Sequence, residues 1–149
     1  MGDNAGMTEQ TCATPSSMRP RIALYSHDTM GLGHIRRNTL IAQTLIQPPL
    51  SAQVLLVSGI RESGAFALPP GIDSITLPAY RKRPDGNYTA RALDMPLEQL
   101  VALRSQTILA ALTAFAPQLL IVDNVPRGAL AELDTVLPTM RARGTPIVL

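Results

Sequence analysis

Both histidines of the chain, His27 and His34, stand in one short stretch: Ser26-His27-Asp28-Thr29-Met30-Gly31-Leu32-Gly33-His34-Ile35-Arg36-Arg37-Asn38. Imidazole exchanges its proton near neutral pH, so a histidine beside a substrate hydroxyl is a natural general base. The stretch follows an apolar run and opens onto a helical pattern starting near Ile35. The first backbone N–H groups of a helix lack intrahelical acceptors and favour an anion. Arg36 and Arg37 fall in that first turn, where the helix dipole disfavours cations. Two cations in such a place answer to something negative, and a phosphate or diphosphate is the natural partner. Gly31, Gly33, Arg36 and Arg37, with His27 and Asp28 in the same loop, are the candidate phosphate-binding set.

Known phosphate motifs fit this stretch poorly. A dinucleotide fingerprint needs a third glycine where Arg36 stands, and a carboxylate at the end of the second strand, where the chain has Ser58-Gly59. No Gly-Lys-Ser/Thr follows, so it is not a P-loop. A metal held by His27, Asp28 and His34 matches no standard ligand spacing, and no metal is expected. What remains is a Gly-x-Gly-His turn onto a helix. A purely structural turn, with His34 bonded locally, is the alternative.

Asp123 closes a later apolar run, Leu119-Leu120-Ile121-Val122. A carboxylate bonded to one imidazole nitrogen fixes the tautomer and leaves the other nitrogen as a base. His34 and Asp123 are thus the candidate catalytic pair, with a loop- or helix-capping role for Asp123 as the alternative.

The elements that must bring these residues together read as alternating strands and helices. Strands are expected at 22–25, 54–57, 72–77, 119–122 and 146–149, and helices at 35–46, about 62–68, about 96–115 and 128–143. Pro48-Pro49 and Pro117 end two of the helices, and Gly144 closes the last as a C′ residue. Residues 79–92, carrying Arg81, Lys82, Arg83, Asp85-Gly86 and Arg91, read as a long polar connection. It is either a solvated surface or a basic lure for a phosphorylated or lipid-linked ligand. Near-continuous apolar strands alternating with helices imply an α/β fold, a Rossmann-like doubly wound parallel sheet in the order 3-2-1-4-5. The ends of strands one and four then flank the switch-point crevice, which is where His34 and Asp123 would meet.

Composition sets the outer limits. The 149 residues are 46% hydrophobic and 16% charged, which suits one folded domain over 21–149. Residues 1–20 read as a disordered N-terminal tail rather than a signal peptide. A net charge of +2 and 3% aromatics disfavour nucleic-acid binding. The single Cys12 fits a reducing, cytoplasmic setting, with peripheral contact at the inner face of a membrane left open. A last strand with no following helix leaves a sheet face bare, so the chain is expected to be part of a larger protein.

The segment from Ile22 to Asp28, with Gly31-Leu32-Gly33-His34-Ile35-Arg36-Arg37, resembles the N-terminal domain of predicted glycosyltransferases related to MurG. Ser58-Gly59, Phe66-Ala67-Leu68-Pro69-Pro70-Gly71, and Ile121-Val122-Asp123 followed by Pro126-Arg127-Gly128 extend the likeness over 21–149. MurG itself has a longer loop, richer in glycine. The resemblance implies the acceptor half of a two-domain GT-B architecture, with His34 as base and Asp123 as the orienting acid. Gly31 and Gly33 would bring backbone amides to an acceptor phosphate. Transfer would be inverting and metal-independent, from a nucleotide-sugar donor to the hydroxyl of a small molecule or lipid-linked glycan. No cofactor is implied. The donor-binding domain is absent from the sequence, so a C-terminal domain or a separate chain would have to supply it, and this half alone would be inactive. Some eukaryotic N-acetylglucosaminyltransferases of this type work as two chains. A non-catalytic anion-binding or partner-docking module is the alternative function.

Overall fold

A computed structural model describes residues 19–26, 33–60 and 67–149. The expected N-terminal tail, His27, Asp28, Gly31 and most of the expected helix at 62–68 lie outside the described residues.

The chain forms β1 (Arg21–Ser26), α1 (Gly33–Leu45), β2 (Gln53–Ser58), β3 (Ile72–Thr76), β4 (Tyr80–Lys82), β5 (Tyr88–Ala90), α2 (Leu97–Phe115), β6 (Leu119–Val122), α3 (Val136–Ala142) and β7 (Ile147–Val148). Five strands make one parallel sheet in the order β3-β2-β1-β6-β7. This is the expected doubly wound arrangement, a Rossmann-like α/β fold. All five strands run the same way, so their C-terminal ends share one rim, and the order reverses between β1 and β6.

Strand periodicity decides what faces what. Ile22 and Leu24 of β1, Val54 and Leu56 of β2, and Leu119 and Ile121 of β6 pack on one face with Ala42 of α1. Ala23, Tyr25, Val57, Leu120 and Val122 point the other way, against Ile108 and Leu112 of α2 and Val136 and Met140 of α3. Burial on both faces explains why the strands read as continuous apolar runs.

Two stretches differ from the sequence reading. The connection at 79–92 contains an antiparallel hairpin, β4–β5, pairing Arg81 with Thr89 across a turn at Asp85-Gly86. Its inner residues Tyr80 and Ala90 cluster with Leu100 of α2, and that packing makes strands of so polar a segment. The expected helix at 128–143 begins only at Val136; before it lie a short 3-10 turn, Ala129–Ala131, and further turns. Gly128, Leu130 and Ala131 hold positive φ, which breaks helical progression there. Pro138 then sits within the first turn of α3, where its missing N–H costs no intrahelical bond. Gly144, at φ +75°, donates to the Arg141 carbonyl at 2.9 Å and closes α3.

Candidate active site

The rim at the β1/β6 switch point is built from a strand end and a helix start. Asp123 follows β6 directly, and its backbone N–H donates to the Tyr25 carbonyl at 2.9 Å, extending the ladder by one bond. Leu119 and Ile121 face α1, so strand alternation sends the next odd residue, Asp123, to the same side. On α1, His34, Arg37 and Asn38 are spaced i, i+3, i+4 and therefore share one face.

These side chains converge on the Asp123 carboxylate. His34 Nδ1 lies 2.9 Å from Asp123 Oδ2, and Asn38 Nδ2 donates to the same oxygen at 3.3 Å. Arg37 donates through Nη2 to Oδ1. A carboxylate can only accept, so the proton of a neutral His34 resides on Nδ1, and Nε2 keeps its lone pair. Arg37 Nη2, 3.1 Å from the same Nδ1, is then a neighbour held by the shared carboxylate rather than a bond donor to the ring. The Asp123 side chain is 8% exposed, whereas His34 is 31% exposed. The orienting group is thus buried and the group it orients reaches solvent. In chemical terms the set is a base with its tautomer fixed.

Of the sequence candidates, His34, Asp123 and Arg37 come together at this point. The negative group that Arg37 meets in the structure is Asp123. Arg36 is exposed on the first turn of α1. Gly33 opens the helix, and an added Cβ would meet nothing within 4 Å among the described residues. The Ser26 hydroxyl, at the end of β1, is buried and has no hydrogen-bond partner among the described residues. Among the described residues no group of three His, Cys, Asp or Glu side chains could hold a metal ion. No helix among them is long and apolar enough to cross a membrane.

The loop after Asp123 is anchored from below by a buried charge cluster. Glu132 accepts from both tyrosine hydroxyls, Tyr25 and Tyr80 (2.8 Å for Tyr80), and from Arg104 Nε and Nη2 at 2.6 and 2.7 Å. Arg104 also donates to the Pro78 carbonyl at 2.6 Å and stacks 4.3 Å from the Tyr80 ring centroid. The Tyr25 hydroxyl in turn accepts from the Ala129 N–H at 3.0 Å. Each side-chain nitrogen and oxygen of the cluster has a partner, as a buried polar cluster requires. Burial, and next the Glu132 charge, push both tyrosine hydroxyls well above their ordinary pKa. Burial works against the charge on Arg104, but the hydrogen bonds and charge of Glu132 outweigh it and hold the guanidinium above its usual value. Gly128 completes the fit: at φ +72°, a Cβ there would lie 2.7 Å from Leu133 Cγ and 2.9 Å from the Tyr25 hydroxyl. On the surface, Arg127 and Asp134 clip the two ends of the same turn (Nε to Oδ1, 2.7 Å).

The fold is shared with a solved transferase structure. A UGT transferase from Siraitia grosvenorii, solved in complex with UDP, superposes with a TM-score of 0.51 at 14% sequence identity. The match covers 85% of this chain and 26% of that one, so the chain spans about a quarter of that transferase. No family model matches the sequence, and no curated protein matches it.

Three of the positioning residues escaped the sequence reading, and two carried a signal. Arg104 sits four residues from Leu100 and four from Ile108, squarely in the apolar stripe of α2. A cation there demands a buried counter-charge. Asn38 stands one helical turn after His34 and is buried. Glu132 had no such signal, because its neighbours in sequence are irregular backbone.

Proposed function

We propose that the chain is the acceptor-side half of a GT-B glycosyltransferase, with His34 as the general base. The observation that carries this is the 2.9 Å contact between His34 Nδ1 and buried Asp123 at the switch point of the sheet, which leaves the lone pair on Nε2. The shared fold with a UDP-bound UGT transferase supports it and makes a UDP-sugar the first donor to assay. In the step, His34 Nε2 takes the proton of an acceptor hydroxyl as its oxygen bonds to the anomeric carbon of the sugar. The bond from that carbon to the nucleotide diphosphate oxygen breaks with inversion, the diphosphate leaves with the electron pair, and the imidazolium releases its proton to solvent. No metal enters on the acceptor side. Asp123 fixes the imidazole and stabilises its charged form, and Arg37 and Asn38 hold Asp123 in place. The donor sugar nucleotide binds a second domain or a separate chain, and a cytoplasmic location belongs to the same reading.

The test is transfer by the complete enzyme, with this half joined to its donor-binding partner. Replacing His34 by Gln should lower turnover by about 10²–10⁴-fold, the usual worth of a general base, with less effect on KM. Unchanged turnover would remove His34 from the chemistry.

A further inference from the structure

Beside the hairpin, a cleft of about 470 Å³ opens between β4–β5 and the start of α2, next to the C-terminal end of β3 at Thr76. Its apolar lining comes from Leu77, Leu93 and Leu100, and its charged lining from Arg81 and Arg91. The volume falls within the range of small-molecule sites, which pair an apolar wall with a few placed polar groups.

The two arginines are what make the cleft specific. In the hairpin Arg81 pairs with Thr89, while the Arg91 N–H bonds to the Ala79 carbonyl at 3.0 Å. Arg81 and Arg91 are therefore diagonal neighbours on one face of the ribbon. The Arg81 guanidinium is steadied there, since Nη2 donates to the Arg91 carbonyl at 3.3 Å. Among the described residues no carboxylate lines the cleft. Two like charges on one face repel, and an anion between them relieves that repulsion. Guanidinium groups are well suited to phosphate or carboxylate oxygens. Leu93 beside them is 48% exposed, an apolar side chain left for something to cover.

We infer that this cleft binds an acidic amphiphile: a small molecule with an apolar body against Leu77, Leu93 and Leu100 and a phosphate or carboxylate held by Arg81 and Arg91. As an assignment of the acceptor class this rests on the transferase reading, whereas the binding site itself stands without it. Thr76 beside the cleft and Asp123 after β6 lie on the same C-terminal rim of the sheet.

The experiment is calorimetric titration of the chain with monomeric octyl phosphate, octyl glucoside, inorganic phosphate, and vesicles of phosphatidylcholine with or without phosphatidylglycerol. Octyl phosphate should bind saturably, at least about tenfold more tightly than either octyl glucoside or inorganic phosphate. Arg91→Gln, which spares the backbone carbonyl that steadies Arg81, should weaken it by about tenfold or more, the worth of one charge-assisted hydrogen bond. Leu93→Asp, at an exposed position that tolerates a polar residue, should weaken it as well. Equal affinity for octyl glucoside, unchanged affinity in both variants, or binding to anionic vesicles without binding to octyl phosphate would each overturn the proposal. Titration of this chain reads the cleft alone and transfer by the complete enzyme reads the reaction, so the two readings fail separately.

Discussion

Glu132→Gln removes one charge from beneath the candidate site while nearly keeping its shape. In the native chain each carboxylate oxygen accepts twice: Oε1 from Tyr25 and Arg104 Nη2, Oε2 from Tyr80 and Arg104 Nε. A glutamine has one acceptor oxygen, so either orientation of its amide points an NH₂ at two donors. It also leaves Arg104, whose side chain is 1% exposed, as a buried cation without its counter-charge. Breaking a buried pair in this way costs about 3–5 kcal/mol. Domains of this size have roughly 5–15 kcal/mol of stability in all, so the loss is about a fifth or more of the total. Urea denaturation followed by far-UV circular dichroism measures it. Arg104→Met should cost a similar amount, because it strands the carboxylate. The double variant Arg104→Met/Glu132→Gln should cost clearly less than the sum, since neither charge is then left alone. A Glu132→Gln loss under about 1 kcal/mol, or strict additivity in the cycle, would refute the reasoning.

Other consequences are simpler to state. Gly128→Ala combines a left-handed φ with a clash against Leu133 and the Tyr25 hydroxyl, and should cost on the order of 2–4 kcal/mol in the same urea assay. Tyr25 and Tyr80 have raised pKa in the folded chain, so the stability they contribute is complete below the unfolded value of about 10 and declines above it. Stability should therefore fall beyond about pH 10, by roughly 1.4 kcal/mol per pH unit for each tyrosine, and absorbance at 295 nm should reach its full value only as the chain unfolds. Ile108→Ala, at a fully buried site between α2 and the sheet, should cost about 2–5 kcal/mol.

The sheet was legible because its strands are apolar on both faces and bounded by glycine or proline, as Ile22–Tyr25 and Leu119–Val122 illustrate. The meeting of His34 with Asp123 followed from topology: adjacent strands at a switch point leave little choice about which loop ends approach. The hairpin was hidden because its strands alternate Tyr80-Arg81-Lys82 and Tyr88-Thr89-Ala90, too short and too polar to show a buried face. Only α2, contributed from further along the chain, makes Tyr80 and Ala90 inner residues. The helix expected at 128–143 failed for a related reason. Tyr25, Tyr80 and Arg104 draw Glu132 inward, and the chain before Val136 bends to deliver it, as the positive φ of Leu130 and Ala131 records. Long-range ion pairs of this kind leave no local periodicity to read.

The central claim is that Asp123 fixes the proton of His34 on Nδ1 and leaves Nε2 as the open base. Long-range ¹H–¹⁵N NMR of the imidazoles at about pH 9, where histidine is ordinarily neutral, reports the tautomer directly, and with two histidines in the chain the His34→Gln variant assigns the signals. The account predicts the Nδ1–H form in the native chain and its loss in Asp123→Ala. A native His34 protonated on Nε2, or a tautomer unaffected by Asp123→Ala, would contradict it.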